Sequence, residues 1–183
     1  MSAYRVIYAD PPWHYRDRAQ AGERGASFKY RLTTTDELAR LDVASLADTD
    51  CALFMWSTAP LLPDALQLMQ AWGFRYSTVA FVWVKTSAAG RLAWGMGQST
   101  RANAELVLLG LRGRLRRVSC AVHQVVQAPR RQHSQKPDEV RDRIVALLGD
   151  VPRVELFARQ RVPGWDAWGD QTPGGCDVEV LPC

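Results

Sequence analysis

Apolar residues along this chain come in short runs whose period alternates between that of a strand and that of a helix. Tyr4-Arg5-Val6-Ile7-Tyr8-Ala9 is rich in β-branched and aromatic residues and reads as a first strand; Cys51 to Trp56 reads as a second. Thr78 to Lys85 is a third, with Val79, Phe81 and Trp83 alternating against Ala80, Val82 and Val84, so both of its faces are apolar and both are covered. Ala104 to Leu111 gives a fourth strand, Val122 to Gln127 a fifth, and Val154 to Phe157 a last one. Between the second and third, Leu62, Ala65, Leu66, Met69 and Trp72 recur at helical spacing, and Gly73 stands where a helix-ending glycine belongs. Lys136 to Leu148 predicts another helix, with Pro137 near its first turn, Asp138 and Glu139 at its positive end and Gly149 as its stop. A short helix carrying Leu38 and Leu41 follows Thr34 or Thr35 as cap. The polar stretches 16–31 and 86–100 read as long loops. Apolar strands alternating with helices predict an α/β doubly wound sheet in a single domain. Ligands of such sheets bind at the carboxyl ends of the strands, where Asp10 and Arg159 fall.

A chain of 183 residues suffices for one domain with a sizeable core. No apolar run approaches the roughly 20 residues that span a membrane, and the start lacks the basic-then-apolar pattern of a secretory signal, so a cytoplasmic location is expected. Cys51, Cys120, Cys176 and Cys183 form no Cys-x-x-Cys pair, which argues against zinc and against a disulfide framework. The net charge of +4 is unevenly spread: residues 101–145 hold ten Arg or Lys against four Asp or Glu. Lysine occurs only at 29, 85 and 136. Arginine suits bidentate contact with phosphate, which points toward nucleic acid, although a solvated arginine-rich face has the same composition.

The most informative stretch is Tyr8-Ala9-Asp10-Pro11-Pro12-Trp13. Neither proline can donate to a ladder, so the first strand stops there, and each proline holds its predecessor extended. Asp10 offers a carboxylate and Pro11 a carbonyl freed by the end of the strand. Two acceptors on a stiff backbone match the two N–H bonds of a primary amine. Trp13 adds a flat face on which a ring can stack, a contact worth ~1–3 kcal/mol for a base. Together they describe a pocket for a planar ring with an exocyclic amine, such as adenine. The lone pair of an aromatic amine is delocalised into its ring. Acceptors on both N–H bonds favour the geometry that frees it and stabilise the charge that develops. A plain turn beside a core tryptophan is the competing reading.

The stretch resembles the catalytic signature of amino-group methyltransferases, and the wider pattern resembles the MT-A70 family of S-adenosylmethionine-dependent adenine-N6 methyltransferases. The matching pieces run in order: YADPPW at 8–13, LFMW at 53–56, WGF at 72–74, FVWVKT at 81–86, ELVLLGLRG at 105–113, HSQKPDEV at 133–140, VELFAR at 154–159 and PGWDAWGDQ at 163–171. The likeness is greatest to short phage and bacterial members that act on DNA. The resemblance implies a Rossmann-like methyltransferase sheet in which the cofactor strand follows the catalytic strand, a permuted order. It implies that Asp10 and the Pro11 carbonyl hold the target amine, with Pro12 stiffening the segment and Trp13 shaping the pocket. It implies cofactor contacts from Asp10, Glu155, Phe157, Arg159, Asp170 and Gln171. The family often has asparagine where Asp170 stands; an aspartate accepts from ribose hydroxyls but cannot donate.

The expected activity is therefore methylation of the 6-amino group of adenine in DNA by direct transfer, with S-adenosyl-L-methionine as cofactor and no metal. RNA is the alternative polymer. A non-catalytic nucleic-acid-binding relative and a small-molecule methyltransferase are the rival classes. Such non-catalytic relatives typically lose the acidic residue of the signature, whereas Asp10 is present. Arg101, Asn103, Arg130 and Arg131 are the candidates for contact with the substrate polymer, beside Trp13. Glu105 matches a family position near the cofactor or the target loop. Residues 1–172 are expected to form the methyltransferase domain and 173–183 a tail.

Overall fold

A computed structural model describes residues 3–13, 34–95, 99–131 and 135–180. The expected loop at 16–31 lies outside the described residues, as do His14, Lys29 and His133. Seven strands form one sheet in the order β5-β3-β4-β2-β1-β6-β7. They are β1 (Tyr4–Ala9), β2 (Ala47–Ser57), β3 (Arg75–Thr86), β4 (Ala104–Arg112), β5 (Val125–Pro129), β6 (Arg153–Leu156) and β7 (Asp166–Trp168). β4 runs antiparallel to β2 and β3, and every other neighbouring pair is parallel.

Both faces of the sheet are covered. On one, Ile7 and Ala9 of β1, Leu53 and Met55 of β2 and Leu108 of β4 pack with Ala65, Leu68 and Met69 of helix α2 (Leu62–Ala71) and Leu38 of helix α1 (Thr35–Ala39). On the other, Val6, Tyr8, Phe54, Trp56, Val107 and Leu109 pack with Val140, Ile144 and Leu148 of helix α3 (Glu139–Leu148). The period-two alternation of each strand produces this split, so the doubly wound reading holds. Helix α1 opens on a capping box: the Glu37 amide donates to Thr34 Oγ1, and the Thr34 amide donates to the Glu37 carboxylate. Where β4 crosses α2, a Cβ on Gly110 would lie 2.7 Å from Met69 Sδ, so only glycine lets strand and helix approach this closely.

Several boundaries move. β2 and β3 begin earlier than their apolar runs, and β5 is shifted toward Pro129. Helix α3 starts at Glu139, not at Lys136. Strand β7 was not expected: it is three residues long and pairs only with β6. Residues 173–180, the described part of the expected tail, make contacts with the sheet and helices. Val180 is buried in the α1–α2 core, and the Asp177 carboxylate accepts from the Ala167 amide of β7 and pairs with Arg161.

Candidate active site

Asp10 lies immediately past β1, at the carboxyl edge of the sheet. Around it, β6 and β7 also end, β2 and β3 reach the same edge, and antiparallel β4 begins there. This places Asp10, Phe157, Gly169 and Glu105 on one rim although they are far apart in the chain.

A cleft of about 200 Å³ opens on one side of Asp10, lined by Asp10, Pro12, Glu37, Leu38, Leu41, Phe157, Ala158, Arg159, Trp168, Gly169, Asp170 and Gln171. Of the six residues expected at the cofactor, five are brought together here: Asp10, Phe157, Arg159, Asp170 and Gln171. Phe157 stands between Trp72, stacked at 6.4 Å, and Trp168, edge-on at 5.2 Å. It has φ of 60°, the one described non-glycine residue with positive φ, a conformation costly for a bulky side chain and held here by its aromatic neighbours. The floor is tight. The Ala158 amide donates to the Trp168 carbonyl, and a Cβ on Gly169 would lie 2.5 Å from the Ala158 oxygen. The sixth residue, Glu155, is not on the cleft. Its side chain faces the other side of the sheet, where Arg141 of α3 donates to it through Nε at 2.7 Å and Nη2 at 2.6 Å. Arg141 also donates to Asp138 at 2.9 Å and sits over the ring of buried Tyr8. Burial raises the Glu155 pKa and opposes the Arg141 charge, but at Arg141 the two-point contact with Glu155 outweighs burial and raises the guanidinium pKa, so the arginine stays charged.

On its other side Asp10 meets a row of alternating charges. Lys136 Nζ lies 2.9 Å from Asp10 Oδ2 and 3.4 Å from Glu105 Oε2, and Lys85 Nζ lies 2.5 Å from Glu105 Oε1. Both ammonium groups sit over indole rings, Lys136 over Trp56 and Lys85 over Trp83. Burial alone would lower the Lys136 pKa; Asp10 and then Glu105 outweigh it and raise it. Burial alone would raise the Glu105 pKa; Lys136 and Lys85 outweigh it and lower it. Lys136 and Glu105 are therefore each held toward their charged forms. Lys85 did not stand out in the sequence as a site residue, and Lys136 did so only through the resemblance, within the HSQKPDEV piece, as part of a family signature near the cofactor side. The available signal was their rarity: two of three lysines in an arginine-dominated chain stand in this row.

Two expectations about the Asp-Pro-Pro-Trp segment change. The Pro11 carbonyl is not free, because the Trp13 amide folds back and donates to it at 2.8 Å. One lone pair remains for a second donor. Trp13 offers no open stacking face: it is 7% exposed, packs in the α1–α2 core and donates from Nε1 to the Trp56 carbonyl at 3.1 Å. Its ring anchors the segment to β2. Among the polymer-contact candidates, Arg101 and Arg130 are exposed near this edge. The Asn103 carbonyl accepts from the Lys85 amide, and Arg131 pairs with Asp138 at 2.5 Å. The arginine excess of residues 101–145 is also not one surface. Arg112, opposite Cys51 at the amino end of β2, and the exposed Arg114, Arg116 and Arg117 that follow it lie at the far edge of the sheet.

Fold and site define a class: a Rossmann-like, S-adenosylmethionine-dependent methyltransferase of the permuted kind, with the Asp-Pro-Pro-Trp strand first. The chain belongs to the MT-A70 family, whose model matches residues 4–171. It is similar to the type II methyltransferase M.MunI of a Mycoplasma species, with 38% identity over 93% of this chain and 78% of that protein. It is also similar to the human N(6)-adenosine-methyltransferase catalytic subunit METTL3, at 28% identity over 95% of this chain, and to the MT-A70-like N(6)-adenosine-methyltransferase of Arabidopsis thaliana, at 27%. The chain spans 29% and 24% of the length of those two. No helix among the described residues is long and apolar enough to cross a membrane.

Proposed function

We propose that this chain methylates the 6-amino group of adenine in DNA. The observation that carries the reading is that Asp10 serves two sites at once. It lines the cleft suited to the cofactor, and its carboxylate already holds an N–H donor, Lys136, at 2.9 Å on the other side. A target amine and a methyl donor would meet at this carboxylate.

The cleft suits S-adenosylmethionine. Leu38, Leu41, Phe157 and Trp168 offer apolar and aromatic walls for its base. Arg159, Asp170 and Gln171 offer partners for its carboxylate and ribose hydroxyls, and Asp10 and Glu37 suit its positive charges. When bound, the cofactor supplies an electrophilic methyl group on a sulfonium that departs as a neutral thioether. The work of the protein is to present the nitrogen. Asp10 and the second lone pair of the Pro11 carbonyl accept the two N–H bonds, drawing the nitrogen toward tetrahedral geometry. Asp10 stabilises the positive charge that develops as the N–C bond forms, and the proton then shed passes to its carboxylate or to water. No protein nucleophile is needed. Cys51, the buried thiol, is pushed up to about 12 by burial and stays protonated.

DNA is favoured over RNA by the relative with the higher identity, of whose own length the chain covers the larger share, a type II methyltransferase, since enzymes of that type act on DNA. The test is methyl transfer from labelled cofactor onto duplex DNA, denatured DNA, RNA and adenosine, followed by digestion to nucleosides. Label in N6-methyldeoxyadenosine is expected. Label confined to RNA, to adenosine or to another nucleobase overturns the reading.

A further inference from the structure

We propose that the turn carrying Leu92 and Trp94 is a wedge that enters the base stack of duplex DNA beside the target adenine, while Arg91, Arg101 and Arg130 hold nearby phosphates. The inference rests on the DNA reading above and concerns a part of the chain that reading does not use.

Past β3 the chain doubles back on itself. Thr86 and Leu92 form an antiparallel bridge, the Ser87 amide donates to the Arg91 carbonyl at 2.7 Å, and the Ala93 amide donates to the Lys85 carbonyl at 2.9 Å. Farther on, the Gly95 amide donates to the Ala102 carbonyl at 2.6 Å. Ala93 is buried, so the turn is pinned at the residue between the two large side chains. Those two face outward, Leu92 at 47% exposure and Trp94 at 52%. Five large hydrophobic side chains are exposed among the described residues, and two of them stand within three positions here. Tyr76 and Val118 lie toward the opposite edge of the sheet, near the start of β3 and the end of α3. Two large apolar side chains exposed together on an anchored turn form a patch of the kind that marks an interaction surface.

The surrounding charge selects that partner. Residues 86–95, 99–103 and 125–131 contain no Asp or Glu, while Arg91, Arg101 and Arg130 are exposed. The Arg130 amide donates to the Thr86 carbonyl, so its backbone lies beside the base of the turn. An apolar tip beside the exposed arginines Arg91, Arg101 and Arg130 suits a polyanion whose interior is flat and apolar, which is the character of a base-paired duplex. The turn also stands next to the site: Lys85, which holds Ala93, is the outer member of the charge row that ends at Asp10. An adenine amine reaches Asp10 only after the base leaves the stack, and the gap it leaves favours a group that fills it.

The test uses duplex oligonucleotides carrying the methylation site mapped with the wild-type enzyme, with 2-aminopurine next to the target as a reporter of unstacking. Trp94→Ala is expected to lose the fluorescence rise on binding and to slow single-turnover methylation of the matched duplex about tenfold or more. A duplex mispaired at the target, already partly unstacked, should be methylated at near the wild-type rate, and Trp94→Phe should recover most of the loss. Equal losses on matched and mispaired duplexes, or no loss on either, overturn the wedge. So does a change in sedimentation of the DNA-free protein on Trp94→Ala, which would assign the face to a second copy of the chain. Wild-type protein that methylates no DNA defeats the DNA reading and the wedge with it; a defect confined to Trp94→Ala bears on the wedge alone.

Discussion

Lys136 shows how a residue acquires its role from neighbours distant in sequence. Read locally, Lys-Pro-Asp-Glu is a helix start, and Asp138 and Glu139 do stand at the head of α3. Lys136 itself lies before the helix and turns into the sheet edge, between Asp10 from β1 and Glu105 from β4. No spacing rule links those three positions: the resemblance marked Glu105 and the Lys136 segment separately but not their contact, whereas Asp10 was legible because two prolines end its strand at a site-forming edge. Removing Lys136 leaves two nearby carboxylates with Lys85 as their remaining lysine partner. Lys136→Met should therefore destabilise the protein by about 3 kcal/mol, the low end for breaking a buried pair, because Asp10 keeps some solvent. The pH dependence has a defined sign. Glu105 has a lowered pKa, so its contribution is present above 4.5 and fades as pH falls through its folded value. Lys136 has a raised pKa, so its contribution is present below 10.5 and fades as pH rises through its folded value. Thermal melting against pH should show the difference between wild type and Lys136→Met largest between these limits and smaller beyond them. Curves that stay parallel across the whole range would contradict the charge row.

At the scale of elements, strand and helix identities were readable from period, but the side of the sheet a strand residue faces was not. In β6, Val154 and Leu156 share one face and Arg153 and Glu155 the other, and period alone does not say which of the two faces the cleft. The register of β6 beside β1 sends Glu155 to the α3 side, next to Tyr8 and Arg141. The antiparallel course of β4 and the existence of β7 were equally hidden. β4 has the same β-branched and leucine-rich composition as a parallel strand, and β7 is too short to show a period. The Glu155–Arg141 pair fastens α3 to the sheet. Arg141→Met should cost about 3–5 kcal/mol by leaving a buried carboxylate alone, and Arg141→Met with Glu155→Met should recover most of that loss. Calorimetry on the double variant should give near wild-type affinity for S-adenosylmethionine. A refolded double variant that no longer binds it would return Glu155 to the cofactor site. Gly169→Ala should do the reverse, weakening cofactor binding at least tenfold because its Cβ meets the Ala158 carbonyl at the cleft floor; unchanged affinity would mean that the floor yields.

At the scale of the whole molecule, composition indicated a basic surface but not its division. The arginines near residues 112–117 and those near the carboxyl edge are at opposite ends of the strands, so only part of the excess can serve a polymer bound at Asp10. Three phosphates held by Arg91, Arg101 and Arg130 predict a log–log slope of DNA affinity against salt of about −3. Replacing Arg114, Arg116 and Arg117 together by serine should leave that slope unchanged; a slope reduced by two or more would put the polymer on the far edge. The whole assembly, a sheet with the proposed cofactor cleft on one side of Asp10 and the charge row on the other, converges on a single carboxylate. The most direct measurement is therefore single-turnover methyl transfer by Asp10→Ala, with melting temperature and cofactor affinity taken on the same preparation. Transfer should fall about 100-fold or more, with a modest change in melting and a smaller loss of cofactor binding. A folded Asp10→Ala protein that transfers methyl groups at the wild-type rate would contradict the account.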